Sequence, residues 1–513
     1  MKKGPEMKLT IQPLYLTLHH DYVFEGPCRY GTAEQLTAEF DLMLNAEAVK
    51  ASIQEVCQTL APLADLCEPI HIDHNEEFLV NDEILEEMSV NDRRVDVYLV
   101  AGMTRMTDLM IPFAQKVRKP LVMLPSVSAT QTIMPAALLA RGLEVYAFRN
   151  WADTIELLEV LRVRKALANT RVLCAARFGT ARTVSGMDNF VDLEHVTDVL
   201  GTQFTFVNAH ELLDQTHLCD PSSNPTTPGR RALNPDDTDR AEIEALTDAL
   251  MDGAAECDMT RKDVFSSVRA YVTIRKFLDY YNCNAFSAPC PDLCATRRLN
   301  EERYTFCLTH SLLGEEGIPS ACEYDLSAAL SMMLLSSFMH APAYMGNTTH
   351  NPSQWKDTGV ALHRMMHDIG DTEYKARILK DPDNTIFVWH AVPRRNMGGF
   401  GQPFAPYSIR PFASSGFGAT IRYDFNRDIG QTVTMARIDP SCSKLFTAKA
   451  QVVAGRGYED HGCSEGVFLR VKDGRDFFSK QICFGNHIPL VYGDCVEKVA
   501  LLGKVLGLEV VEA

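Results

Sequence analysis

Residues 95–148 read VDVYLVAGMTRMTDLMIPFAQKVRKPLVMLPSVSATQTIMPAALLARGLEVYAF, an alternation of apolar runs and helical stretches. The run at 95–100 is followed by Gly102 and a helical pattern. A second run at 120–124 (PLVML) leads through another helical stretch to a third at 143–148. Strands joined by helix-length crossovers pair in parallel, because an antiparallel partner needs only a tight turn. Such continuously apolar strands suit a sheet covered by helices on both faces. We therefore expect a doubly wound α/β domain over residues 1–168.

Working outward, the pattern restarts at 170–175 (TRVLCA) and continues through a helical segment near 193–200 to a strand at 203–207. Residues 219–239 carry Pro221, Pro225, Pro228 and Pro235 among Ser, Asn, Thr and Asp, which reads as an exposed loop. Two helical stretches follow, 240–257 and 261–280, the first with Ile243, Leu246 and Leu250 at helical spacing. Residues 169–283 are expected to form a second, smaller α/β domain. From 284 onward short β-like runs at 385–389, 418–423, 432–438 and 449–453 are interrupted by one long helix, 325–339. The expected fold class is thus two doubly wound α/β domains followed by an α+β domain, residues 284–513, with a curled antiparallel sheet.

Composition narrows the function. The chain has 513 residues, a net charge of −17 and 46% hydrophobic residues, so disordered and fibrous classes are out. Scattered basic residues in an acidic chain oppose a grip on nucleic acid, which needs a clustered Lys/Arg face. The longest apolar stretch, 328–339, is broken by Ser331, Ser336 and Ser337 and is too short to span a bilayer. No secretory pattern opens the chain, so a cytoplasmic protein without membrane partners is expected. Its 15 cysteines are read as reduced thiols. Cys283, Cys290, Cys294, Cys307 and Cys322 match no paired-knuckle zinc spacing and are read as core residues. Neither a phosphate-binding glycine loop nor a hydrolase or zincin motif is present.

Three segments carry candidate chemistry. In residues 317–347, GIPSACEYDLSAALSMMLLSSFMHAPAYMGN, Glu323 stands where a strand-like approach meets a helix start, and helix amides favour an ionised carboxylate there. It suits a metal-binding or proton-accepting role; equally, Glu323 and Asp325 suit the first turn of a core helix. In residues 386–407 a strand delivers Trp389 and His390 into a Gly/Pro-rich loop, as stacking and hydrogen bonding to a polyhydroxy ligand would require, or as core packing would. In residues 484–494 Asn486 and His487 precede an apolar strand and a closing helix. Arg177 and Arg182 flank a glycine turn after the 172–175 strand, on the crevice side of an open sheet, and suit an anionic substrate group or plain solvation. Arg394 and Arg395 form a second such pair.

In their order and spacing these three segments resemble the carboxy-terminal half of the L-fucose isomerase family, relatives of the L-arabinose isomerases, over residues 285–511. The resemblance implies an aldose–ketose isomerase, an intramolecular oxidoreductase of carbohydrate metabolism, that uses Mn²⁺ or another divalent cation such as Mg²⁺. It implies Glu323 as ligand and base, His487 as ligand, and Asn486, Trp389 and His390 near the sugar. It also implies a homo-oligomer, commonly a hexamer. Two positions depart from the family pattern: Asn347 stands where the family has its catalytic and metal-binding aspartate, and Trp389-His390-Ala391-Val392 replaces a W-H-C-G run.

Proton transfer between C1 and C2 of an open-chain sugar needs one group for the C–H proton, another for the hydroxyl proton, and a cation to polarise the oxygens. Asn347 can offer a carbonyl oxygen to a metal but cannot act as a base. The vacant role falls to a water or His350, or else the scaffold serves a metal-assisted sugar lyase or a sugar-binding protein.

Overall fold

The structure, a computed structural model, describes residues 3–18, 46–74, 82–101, 107–125, 130–176, 188–218, 233–294, 297–350 and 372–513. The chain divides into two compact units, Lys8–Arg162 and Met1–Met7 with Val163–Ala513.

In the first unit six strands form one sheet: β1 (Leu9–Leu18), β2 (Ala64–Leu66), β3 (Ile70–His74), β4 (Val97–Ala101), β5 (Leu121–Met123) and β6 (Val145–Ala147). Every pairing is parallel, as the helical crossovers require. Helices Thr107–Val117 and Thr130–Leu139 fill the two crossovers read from the sequence. The core gathers Leu14, Tyr98, Met110, Phe113 and Met134, with the Tyr98 and Phe113 rings edge to face at 5.0 Å.

In the second unit β7 (Arg171–Ala176) and β8 (Gln203–Asn208) begin another parallel sheet. After β9 (Glu256–Cys257), strands β10 (Ala285–Ser287) and β11 (Ser320–Ala321) extend that sheet in the order β11-β10-β7-β8. Residues expected on opposite sides of a boundary at 283 therefore share one sheet, because Ala285–Ser287 pairs in register with Val172–Cys174. Position 283 does not separate two bodies; residues 163–513 belong to a single compact unit.

The antiparallel part closes on itself. Strands β12 (Tyr344–His350), β13 (Thr385–Trp389), β16 (Thr432–Ile438), β17 (Lys444–Arg456), β18 (Gly466–Val471) and β19 (His487–Tyr492) form a six-stranded barrel in the order β16-β19-β12-β13-β18-β17, completed by β16 on β17. A register shift between Val452 and Ala454 bends the long β17, which assists closure. Of the intervening strands, β14 (Tyr407–Pro411) pairs with both β15 (Ala419–Tyr423) and β9 in a separate small sheet. The run expected at 418–423 therefore lies outside the barrel. Strand β20 (Glu509–Glu512) joins β17 in parallel.

One helix connects the two sheet systems. Every residue from Leu326 to Phe338 is buried, as expected of a helix apolar on all sides. It packs on barrel strands β16 and β19, on β10 and β11, and on the turn Gly4–Glu6. The serines that interrupt its apolar run have partners. Ser331 Oγ accepts from Ile438 N at 3.0 Å, Ser327 Oγ donates to Ile438 O, and Ser336 Oγ accepts from Ala343 N at 3.1 Å. No helix among the described residues is long and apolar enough to cross a membrane.

The stacked pair Phe387 and Phe468, with ring centroids 4.4 Å apart and both fully buried, anchors the barrel wall beneath helix Thr372–Leu379. Phe387→Ala is expected to lower unfolding free energy by about 3–5 kcal/mol, whereas Ile482→Ala, 63% exposed, should stay within about 0.5 kcal/mol of wild type in denaturant titrations.

Candidate functional site

Strands β10 and β11 end side by side, and open parallel sheets present their ligand crevice at such carboxyl ends. Immediately after β11 the chain makes a tight turn, Cys322–Tyr324, in which Glu323 (φ 62°) and Tyr324 (φ 61°) are both left-handed. For non-glycine residues this conformation costs about 1–3 kcal/mol each and persists only where surroundings enforce it. The enforcing bonds are Tyr324 N to Ala288 O at 2.9 Å and Asn189 Nδ2 to Tyr324 O at 2.8 Å.

The turn separates two carboxylates. Asp325, not Glu323, caps the helix Leu326–Met339, accepting from Ala328 N at 2.8 Å, while Asn189 Oδ1 takes the Leu326 and Ser327 amides. The helix-start role read for Glu323 and Asp325 together thus falls to Asp325 alone. Glu323 is left with its side chain 23% exposed.

Barrel register supplies the imidazoles. Asn347 on β12 lies opposite His487 on β19 and opposite Trp389 on β13, so the three segments separated in sequence meet in one row across adjacent strands. His390 follows directly after β13. Its Nε2 lies 3.3 Å from Glu323 Oε1, and its Nδ1 faces the Cys463 thiol at 3.4 Å. His487 Nε2 lies 3.6 Å from Glu323 Oε2. One ligand atom from each of Glu323, His390 and His487 falls within 4.8 Å of the others, and both histidine side chains are only 3% exposed.

Behind this group His487 Nδ1 is 2.9 Å from Asp325 Oδ2. An ionised carboxylate only accepts, so Nδ1 carries a proton, and in the neutral tautomer of that ring the lone pair sits on Nε2. That Nε2 is buried and has no hydrogen-bond partner among the described residues. Fully buried Arg437 fixes the arrangement. Its Nη1 donates to Asp325 Oδ2 at 2.6 Å and to His487 O at 2.9 Å, its Nε to Phe484 O, and its Nη2 to Asp188 O at 3.2 Å. Asp188 in turn accepts from Asn486 N at 2.7 Å, a close approach that Gly485 (φ 107°) permits, since a Cβ there would lie 2.3 Å from the Asp188 carboxylate.

The electrostatics separate the acids. Burial pushes the Asp325 carboxyl up, but the Arg437 charge and the His487 bond outweigh it and hold it well below the usual carboxylate range. Burial also raises Glu323, and the hydrogen bond from His390 together with the fields of His487 and His390 brings it below its ordinary value. For His390 burial works against the charged ring, yet Cys463 and Glu323 push it up to about 10.

Of the residues read from the sequence, Glu323, His487 and His390 come together. Asn347 and Asn486 lie beside them, but the Asn347 carbonyl accepts from the Asn486 side chain. The Trp389 indole is engaged elsewhere: it packs against the Phe387–Phe468 cluster and donates to Thr349 Oγ1 at 3.2 Å. His350 packs against the rings of Phe477 and Phe478, outside the group. Arg395 is held by both oxygens of Glu315 at 2.9 and 2.7 Å between the rings of Phe404 and Tyr407, and Arg394 is fully buried. Neither is a free anion contact. Arg177 and Arg182 lie outside the described residues. The sequence reading missed Asp325, Cys463, Asp188 and Arg437 as parts of this site. Arg437 did leave a signal, a lone charge inside the apolar strand TVTMARI, which must be paired to be buried.

Removing one partner of the Asp325–Arg437 pair leaves the other charge buried alone. Asp325→Ala and Arg437→Met are each expected to cost about 3–5 kcal/mol in denaturant unfolding, and the double variant less than their sum. A cost below about 0.5 kcal/mol for either single variant would show that the pair does not hold this region together.

No family model matches the chain, and a search of curated proteins finds no match.

Proposed function

We propose that Glu323, His390 and His487 hold a divalent cation and that the chain is a metal-dependent aldose–ketose isomerase acting on a sugar or sugar derivative through an enediolate. The observation that carries the metal reading is the buried, unpartnered Nε2 of His487, oriented by Asp325 toward Glu323. Metal-bound imidazoles are characteristically backed by a carboxylate in this way. Two imidazoles and one carboxylate favour a transition metal such as Mn²⁺ over Mg²⁺, which prefers all-oxygen sites. His390 supplies the third donor, the cation displacing the ring proton that Cys463 and Glu323 otherwise favour, in place of Asn347, whose carbonyl oxygen is engaged by Asn486. The sugar reading rests on the resemblance of the three segments to the fucose isomerases.

A bound cation supplies Lewis acidity to neighbouring hydroxyl and carbonyl oxygens. Glu323, the most exposed member of the group, is placed to take the proton from C2 of an open-chain aldose and return it to C1. Asp325 is tied to Arg437 and His487, so it orients the site and does not move protons. The hydroxyl proton has no second free carboxylate in the group to carry it. That observation favours one further reading, a lyase in which Glu323 takes the C3 hydroxyl proton of an open-chain aldose, the C2–C3 bond breaks to leave an aldehyde at C3 and an enediolate across C1 and C2, and the proton returns to C2 with no O2-to-O1 transfer.

Elemental analysis of protein purified without chelators should find a transition metal in wild type and about one equivalent less in Glu323→Gln and His487→Ala. Incubation with aldoses in D₂O should then give ketoses labelled at C1, read by NMR. Cleavage products without ketose would favour the lyase, and a wild type that takes up no cation even after incubation with Mn²⁺ would refute the metal reading.

Asn347→Asp restores a second carboxylate beside Asn486. We expect it to raise ketose formation by about 10²-fold, the low end of a positioned acid–base group. An unchanged rate would place the hydroxyl proton on another carrier.

A further inference from the structure

A second donor cluster lies behind the turn that carries Glu323. Cys290 follows β10, Cys322 follows β11, and His310 sits on the helix Cys307–Glu315. Ligand atoms of the three fall within 4.8 Å of one another, and all three residues are buried, at 7%, 4% and 0% exposure respectively. Cys290 Sγ is 3.3 Å from His310 Nε2 and also faces the Cys322 thiol and the Glu323 amide. His310 Nδ1 is 2.7 Å from Ser320 Oγ, which orients the ring so that Nε2 points at the sulfurs. The ring packs in a three-ring cluster with Phe286 and Phe306, its centroid 5.8 and 6.5 Å from theirs.

We propose that Cys290, His310 and Cys322 form a second metal site, one that takes Zn²⁺. Two thiolates and a neutral imidazole carry two negative charges, which Zn²⁺ cancels. A monovalent soft cation would leave a net charge among apolar side chains, at a desolvation cost. Sulfur donors exclude Mg²⁺ and disfavour Mn²⁺, so the two sites sort different metals by donor type. The zinc ties the ends of β10 and β11 together and clamps Cys322, the residue before the left-handed Glu323. These three donors leave zinc's fourth position to a water or another neighbouring donor, and the ion holds the strained turn that aims the carboxylate. The proposal is independent of any sugar chemistry at the front site.

Cobalt substitution tests it. Full-length protein loaded with Co²⁺ should show intense thiolate-to-cobalt charge-transfer absorption in the near ultraviolet. The bands should vanish in Cys290→Ser and Cys322→Ser and persist in Glu323→Gln and His487→Ala, whose site has no sulfur ligand in the proposed set. Zinc-edge X-ray absorption of wild type gives a readout that does not depend on the variants folding, and should show sulfur at about 2.3 Å. Zinc surrounded only by nitrogen and oxygen, bands retained in both cysteine variants, or loss of two hydrogens by intact mass from a Cys290–Cys322 disulfide would each overturn the proposal.

Discussion

A single buried guanidinium organises the region where the parallel sheet meets the barrel. Arg437 sits on a barrel strand, yet its bonds go to the carboxylate that caps the central helix, to the backbone of the next strand at His487, and to Asp188. A charge so enclosed is tolerable only with a full set of acceptors, and those acceptors are what set the helix against the barrel. Because Asp325 is shared between Arg437 and His487, the bond that stabilises the fold also chooses the imidazole tautomer. Stability and site geometry are here the same set of hydrogen bonds.

The division of labour between Glu323 and Asp325 follows from that sharing. Two carboxylates two residues apart would ordinarily be near equivalents. The pair of left-handed residues between the strand and the helix turns them in different directions. One is consumed by a cap and a buried arginine, and the other is left partly in solvent among imidazoles.

Parts of this were legible in the sequence and parts were not. Crossovers of helical length announce parallel pairing, and Glu323, His390 and His487 each stand out in their segments. Closure of the barrel was not legible, because closure depends on β16 meeting β17 across a circuit of partners and not on any local run. The role of His390 as a candidate ligand was hidden for the same reason: its proximity to Glu323 is set by strand register, which propensity does not encode. Cys290 and Cys322 are thirty-two positions apart and share no knuckle spacing, so adjacency of two parallel strands, not sequence distance, brings them to His310. Strand β12, with its glycine, asparagine and threonines, carried too little apolar patterning to be read as a barrel wall.

The row formed by His487, Asn347 and Trp389 has an evolutionary consequence. Asn347 lies within a strand paired on both sides, so its position is dictated by backbone bonds that ignore which side chain it bears. Codons for asparagine and aspartate differ at one base. The chain therefore stands a single nucleotide from a centre with a second free carboxylate, and the barrel around it needs no rebuilding to cross that gap. A scaffold of this kind can gain or lose a carboxylate beside Glu323 while its backbone stays as it is.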